Sequence, residues 1–535
     1  MSGHIECKGR RAPLPDGTVK KCRNIQGIKC SDWIYARRVN SDKPLVGRIK
    51  YRPIDRSQTS FQVLDYEILI EANHPARVIW ELAGKLNLER FARDCKTREG
   101  EAGRPCWSPQ LLVSIWVYCY TLGVASARSI ERMMSHEPGL RWLAADQEVN
   151  YHTLADFRVG HREALEKLFI EFLAMLEKAG VVNLETLLQD GTKIKAQAAK
   201  SSWHRRRTLE KRLRAARKVV QKLDREAAQL HEKLDERRQA AQQRAAREAV
   251  ARGEAALQEL EKLEARTTPK NRAELRVSDS EPEARKMKDN DGGFHPGYNL
   301  QVTSEVQSRM IVAVGLTGDH NDLHQLIPAL EQIERSGLAT PQTIIADKGY
   351  ATRHNVEQTA ERDVELIAPW KNDAARQAGA CARAGIAKEF AATAFQRQGC
   401  GQELLCPDGK TLVAIGQKKH HGVIKTIFQA QAKDCQRCQF LKPCGGYRGG
   451  PRRVELSVES KAMSDYLARM KRRAVKTLYR KRCEIAEFPH LWIKGVQRLR
   501  QFSVRGLVKA GTEALWMALA YNVTQWIRIR PAVAQ

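Results

Sequence analysis

Residues 184–198 read LETLLQDGTKIKAQA, an apolar run that stops on Asp190 and Gly191. A short apolar segment closed by an acid–glycine turn signal reads as a buried β-strand. The pattern returns at 343–350, where Thr343-Ile344-Ile345-Ala346 runs into Asp347-Lys348-Gly349-Tyr350. Tyr298 to Ser304 and Met310 to Leu316 predict two further strands, and Leu366 to Pro369 another. A helix is expected over Asn321 to Ser336, with Leu323, Leu326, Ile327, Leu330 and Ile333 on one face. Strands and a helix in this order predict an α/β fold with a mixed sheet.

Outward from that sheet the composition changes. From about Asp65 to Gly180 the pattern is helical. Ser108-Pro109 starts one helix, Ser126 a second, and Thr153 is expected to cap a third. On that third helix Leu154, Phe157 and His161 face the core, while Arg158 points outward as a DNA-binding residue. Short helices with basic residues on the last one suit a helix-turn-helix-like unit, and a plain helical bundle fits the periodicity equally well. Between Trp203 and Arg266, Leu209, Leu213, Ala216, Val220, Leu223, Ala227, Leu230 and Leu234 keep heptad spacing. One long helix or an antiparallel hairpin satisfies it, inserted between two strands of one sheet. After Lys371 the pattern dissolves into a cysteine-containing region as far as Val454. The expected organisation is therefore a basic segment at 1–60, a helical DNA-binding domain at 61–180, and a catalytic domain at 181–535. Insertions at 201–268 and 371–455 interrupt the last.

The chain of 535 residues carries 91 Lys plus Arg against 62 Asp plus Glu, a net charge of +29. So large a surplus repels itself unless a polyanion shares the space, which points to nucleic acid. Residues 451–510 alone hold 16 basic against 5 acidic side chains. Met1 to Arg11 is polar, and Leu111 to Ala127, the apolar part of the uncharged stretch Pro105 to Ala127, is 17 residues. That is short of the ~20 apolar residues that span a bilayer, so no membrane partner and a cytoplasmic location are expected. Thirteen cysteines suit reduced thiols or a metal better than a disulfide framework.

Phosphodiester chemistry on DNA calls for a neutralised phosphate and an activated water or hydroxyl, which two Mg²⁺ (or Mn²⁺) ions supply. Such hard cations need carboxylates presented from rigid elements. Asp190 and Asp347 each end a predicted strand, the edge where α/β sheets bind ligands. On the basic C-terminal helix Tyr479, Arg482, Glu487 and Lys494 follow one another, and the seven residues from Glu487 to Lys494 make two turns of one face. His320-Asn321-Asp322 reads as a helix cap. Arg285, Lys286, Lys288 and His295 offer phosphate contacts or a solvated loop.

The stretches SPQLLVSIWVYCYTLGVASARSIERMM (108–134), YHTLADFR (151–158), QDGTKIKAQA (189–198), GYNLQV (297–302), IIADKGYA (344–351) and YRKRCEIAEFPHLWIKGVQRLRQFSVRGLVK (479–509) resemble the DDE transposases of bacterial insertion sequences. The resemblance runs from about Tyr51 to Trp526. It implies a ribonuclease-H-like core, with Asp190, Asp347 and Glu487 as the three catalytic acids holding the metal. It also implies that Tyr479, Arg482 and Lys494 approach the DNA end. Four residues separate Arg482 from Glu487 where many members have three, and Glu484 is the rival acid. The implied activity is metal-dependent cleavage and strand transfer at terminal inverted repeats, by a homodimer or larger assembly on double-stranded DNA. A transposase-derived DNA-binding protein that no longer cuts, and a nuclease that never joins, are the alternatives. Separately, Cys435-Gln-Arg-Cys438 has the two-residue gap of a zinc site, which Cys406 and Cys444 would complete.

Overall fold

The computed structural model describes residues 65–93, 105–229, 236–288, 292–370, 379, 381–398, 402–420, 423–445, 450–458 and 460–533; the segment expected at 1–60 lies outside them. Six strands build the main sheet: β1 (Thr186–Lys195), β2 (Arg285–Lys288), β3 (Phe294–Glu305), β4 (Ile311–Thr317), β5 (Thr343–Ala346) and β6 (Glu365–Ile367). Their order is β2-β3-β1-β5-β6, with β4 also bonded to β3. β3 runs antiparallel to β1, and β5 and β6 run parallel. The sheet is mixed, as the sequence implied. Alternation then sorts the faces. Leu187, Ile344 and Leu366 enter the main core, whereas Leu188, Ile345 and Ile367 bury on the other face with Ile485 and Ala486.

The helices before the sheet are α1 (Pro75–Lys85), α2 (Pro109–Thr121), α3 (Ala127–Met133), α4 (Pro138–Ala144), α5 (Tyr151–Gly160) and α6 (Arg162–Lys178). α2 is uncharged and buried on every side from Leu111 to Tyr120. Its neighbours include the C-terminal helix, so one continuous apolar cluster runs from Ile70 through the sheet to Val523. The helices at 65–180 therefore share the core of the sheet. α5 corrects two expectations. Its cap is Asn150, whose side chain accepts from the His152 N–H at 2.6 Å, and Thr153 lies inside the helix. Arg158 is buried, because the chain after 500 packs over that face of α5.

The heptad segment is a hairpin of α7 (Arg206–Gln229) and α8 (Glu236–Arg266). Arg206 pairs with Glu264, Arg217 with Glu254 and Arg247 with Asp224, so the helices are antiparallel. The seam is closed within the chain, with Leu209 buried against Ala256 and Leu260, and Leu213 buried beside Gly253. At its base Trp203-His204 pairs with Val277-Ser278, and the hairpin leaves between β1 and β2.

The second insertion is not patternless. β7 (Gln396–Gln398), β8 (Glu403–Leu405), β9 (Thr411–His420), β10 (Val423–Ala430) and β11 (Arg453–Ser457) form a separate antiparallel sheet, ordered β11-β10-β9-β8-β7. Its core is small: Phe395, Leu404, Leu412, Phe428, Ala430 and Val454. Only one face is covered. Val413, Ile415 and Ile424 stay exposed, which hid the alternation on which strand prediction relies.

The C-terminal helices complete the sequence: α9 (Leu326–Ser336), α10 (Arg353–Glu361), α11 (Lys461–Lys471), α12 (Arg473–Arg480), α13 (Arg482–Leu491) and α14 (Leu507–Val533). Among the described residues no helix is long and apolar enough to cross a membrane.

Candidate active site

Gln189 and Ala346 are the last paired residues where β1 meets β5. Asp190 and Asp347 follow directly on adjacent parallel strands. By alternation both belong to the face of Leu188 and Ile345, the face that α13 covers with Ile485 and Ala486. β1 continues beyond this point paired to β3, with a single bridge from Lys195 to Gln501 at its far end. The end of β5 thus opens a gap beside two carboxylates. Asp347 turns the chain sharply there: its Oδ1 accepts the Gly349 N–H, and its carbonyl accepts the Tyr350 N–H at 3.1 Å. A side chain at Gly349 would meet the Asp347 carboxylate at 2.6 Å, which explains the glycine.

Asp190 is engaged by two basic side chains from α13. Arg482 Nη2 lies 3.2 Å from Oδ1 and His490 Nε2 lies 3.6 Å from Oδ2. Arg482 and His490 are eight residues apart, and both flank the helix face that carries Ile485, Ala486 and Pro489 to the sheet. Burial pushes the Asp190 carboxyl up, but His490, Arg482 and the Gly191 N–H together hold it below the ordinary range. Asp190 is therefore a carboxylate. The Arg482 Nε and His490 Nδ1 atoms are buried without a hydrogen-bond partner among the described residues, which leaves donor capacity at this edge.

Tyr479, at the end of α12, packs against Leu188 and Ile345 beside Arg482. Burial raises its phenol, Arg482 opposes this, and the Asp347 charge adds to the rise. Four of the residues singled out in the sequence, Asp190, Asp347, Tyr479 and Arg482, are thus brought together. Glu487 is not gathered with them. It is exposed, as is Glu484, and forms no hydrogen bond or ion pair among the described residues. Lys494 sits in a π-helical turn, Trp492–Val496, that follows Pro489. A proline inside the helix lacks the N–H that would close the preceding turn, and the chain widens after it. Glu487 and Lys494 consequently do not lie two regular turns apart.

Two site residues escaped the sequence reading. His490 carried a signal in its spacing from Arg482. Asp322 carried none, since it reads as a helix cap, yet the helix starts at Leu326. Its Oδ1 instead accepts from Asn299 Nδ2 and Gln301 Nε2, both at 2.7 Å. A Cβ at Gly191 would lie 2.5 Å from that oxygen, so the bare backbone at 191 is what lets Asp322 reach β1. Tyr350 donates to Gln301 Oε1 at 2.6 Å, and its phenol is raised well above the usual value by burial and by Asp322, Asp190 and Asp347.

The remaining candidates fall elsewhere. Arg158 donates to the Ala125 carbonyl and to Ser503 Oγ, and lies over the Trp116 ring. It is a buried strut and not a surface contact. Arg285 pairs with Glu259 of the hairpin, Lys286 lies over Phe294, and His295 is buried. Cys406, Cys435, Cys438 and Cys444 are free thiols, whereas Cys106 is disulfide-bonded. Among the described residues no group of three or more histidine, cysteine, aspartate or glutamate side chains is closed into a metal centre.

Residues 266–523 match the family described as Transposase DDE domain, and residues 64–160 match the Transposase domain (DUF772). No curated protein matches the chain. The first family match begins after the hairpin and so omits Asp190, but β1 is the strand that bonds to β3 and β5 inside the matched region. With the helices before the sheet and all of the sheet but β1 matched, the two family matches indicate an insertion-sequence transposase of the DDE type.

Proposed function

We propose that the chain cuts DNA at the ends of an insertion sequence and joins the freed ends to a target, using Asp190 and Asp347 as the fixed carboxylates of its active site. The observation that carries this reading is their adjacency on β1 and β5 beneath a helix that supplies Arg482 and His490. The ribonuclease-H-like reading of the sheet is supported by the strand order and by the single antiparallel strand, β3, beside β1.

The donor set fits a hard divalent cation. Two aspartate carboxylates stand at one strand edge, and one of them is held ionised against burial. Asp190 and Asp347 would hold the metal, and Glu487, exposed on α13 and not gathered with them in this structure, would have to move to that edge to serve as the third acid. When bound, Mg²⁺ or Mn²⁺ neutralises the scissile phosphate and makes the attacking oxygen easier to deprotonate. The chain's own residues do the rest. Arg482 and His490 keep Asp190 anionic. Tyr479 shields the inner side of the gap. Lys193, Arg498, Arg500 and Arg505 are exposed on the flanking segments and neutralise the DNA backbone, so binding weakens steeply as salt rises. In cleavage, water attacks phosphorus and the 3′-oxygen leaves as a hydroxyl. In joining, that hydroxyl attacks a target phosphodiester. One P–O bond forms for each one broken, so no external energy source is required.

The test incubates the native protein, and its Asp190→Ala, Asp347→Ala and Glu487→Ala variants, with DNA carrying the element's ends and Mg²⁺. Each variant is expected to lose cleavage by at least ~10³-fold while retaining DNA binding. A precut end with a free 3′-hydroxyl is expected to be joined by the native protein. Hydrolysis without joining would identify a nuclease, and undiminished cleavage by the Asp190 or Asp347 variant would overturn the site.

A further inference from the structure

Cys406, Cys435, Cys438 and Cys444 come from three separate segments and converge on one cavity. Cys406 begins the turn after β8, Cys435 ends a short helix at Ala432–Gln436, and Cys444 ends another at Leu441–Cys444. Together with Phe390 and Asp408 they line an internal space of about 30 Å³ at the edge of the small sheet. The Cys444 sulfur lies within electrostatic reach of the other three.

The backbone around them is shaped for sulfur. Gly409, at φ +76°, folds the turn so that its N–H reaches the Cys406 carbonyl at 2.8 Å. The Lys410 N–H then points at Cys406 Sγ, 3.2 Å away. A second backbone donor, from Phe440, reaches the Cys438 sulfur. Backbone N–H groups aimed at sulfur are the donors that metal-bound sulfurs accept. A half-buried patch of four cysteines without disulfides has few other uses.

The small sheet also needs support. Its own core comprises six buried residues, against which Cys406, Cys435 and Cys444 pack directly. A core of that size supplies little stability alone, and small folds commonly add a metal or a cross-link.

We propose that these four cysteines bind a structural Zn²⁺ that fastens the second insertion. In the thiol form the sulfurs have no reason to crowd, and the Cys438 S–H donates a hydrogen bond to the Asp408 carboxylate at 3.6 Å. Binding releases the thiol protons to solvent and draws four thiolates into a tetrahedron of Zn–S distances ~2.3 Å. No oxidation or reduction accompanies the step. The ion stands apart from Asp190 and Asp347, and takes no part in their chemistry.

The full-length protein, purified without chelator, is assayed for bound zinc and then reconstituted with Co²⁺. About one zinc per chain, and a cobalt spectrum with intense thiolate charge-transfer and tetrahedral d–d bands, are the expected results. Cys435→Ser and Cys438→Ser should each lose at least ~10-fold in zinc affinity, while Cys483→Ser keeps it. Because those variants are liable to misfold, mercurial titration of the native protein gives a second reading. Zinc should leave in step with the modification of about four thiols. A protein without zinc that also gives no thiolate–cobalt band overturns the proposal, as does zinc retained in full by both serine variants.

Discussion

Two arginine–carboxylate pairs in this molecule are built from the same chemistry and do opposite work. Arg158 and Glu513 stand 3.9 Å apart with side chains 6% and 0% exposed. Ser503 links them, accepting from Arg158 at 2.7 Å and donating to Glu513 at 2.8 Å, while its N–H reaches the second Glu513 oxygen at 2.9 Å. Trp116 covers the guanidinium. Arg482 and Asp190 are 15% and 22% exposed, with His490 Nε2 3.6 Å from the second Asp190 oxygen. The first pair is sealed and ties α5 to α14. The second sits at an open strand edge, where a phosphate or a cation can exchange for one of the partners. Residue type does not separate a strut from a site; access does.

The largest effect expected from this contrast follows Arg158→Met. Removing one partner from a sealed pair strands the other, at about 3–5 kcal/mol, read as a fall in the thermal or denaturant midpoint. Burial already raises the Glu513 carboxyl, with Arg158 and Ser503 opposing it. Without Arg158 it rises further, so Glu513 is neutral in the fold at low pH and must ionise as pH climbs. The folded state then binds more protons than the unfolded one, and the deficit should widen with pH. Arg158→Met combined with Glu513→Leu should recover most of the loss. If the double variant is no better than the single one, the sealed-pair account is wrong.

A smaller effect is expected from Arg482→Met, roughly 1–2 kcal/mol, because His490 and the Gly191 N–H still face Asp190. Here the carboxyl shift has the opposite sign. The Asp190 carboxyl is depressed in the fold, so its stabilisation is complete above the ordinary aspartate value of about 3.9 and is lost as pH falls through the depressed one. Arg482→Met should lower stability by that amount across the neutral region, where Asp190 is ionised, and the deficit should shrink as pH falls and Asp190 takes up its proton. A deficit that does not change with pH would mean that Arg482 does not hold the charge on Asp190.

The same contrast explains what the sequence could reveal. β1 and β5 were legible because buried strands read as apolar runs and because both end on an acid–glycine turn. The hairpin was legible from its heptads, although its pairing in cis was not. Arg158 was misread because a basic residue on a short helix resembles a DNA contact until the distant segment around Ser503 and Glu513 folds over it. Asp322 was misread because its partners, Asn299 and Gln301, lie on a strand more than 20 residues earlier. The one-sided strands of the second insertion left no clear alternation. In each miss a contact distant along the chain outweighed the local signal.

The central claim is that the carboxylates following β1 and β5 hold a divalent cation, and the most direct measurement maps that cation without asking for catalysis. Fe²⁺, which takes oxygen sites of the same kind, generates hydroxyl radicals in the presence of ascorbate and peroxide and cuts the polypeptide beside its ligands. Backbone cuts near Asp190 and Asp347, suppressed by excess Mg²⁺ and absent in Asp190→Ala and Asp347→Ala, are the predicted result. Cuts confined to other segments, or cuts at 190 and 347 that persist after both substitutions, would contradict it.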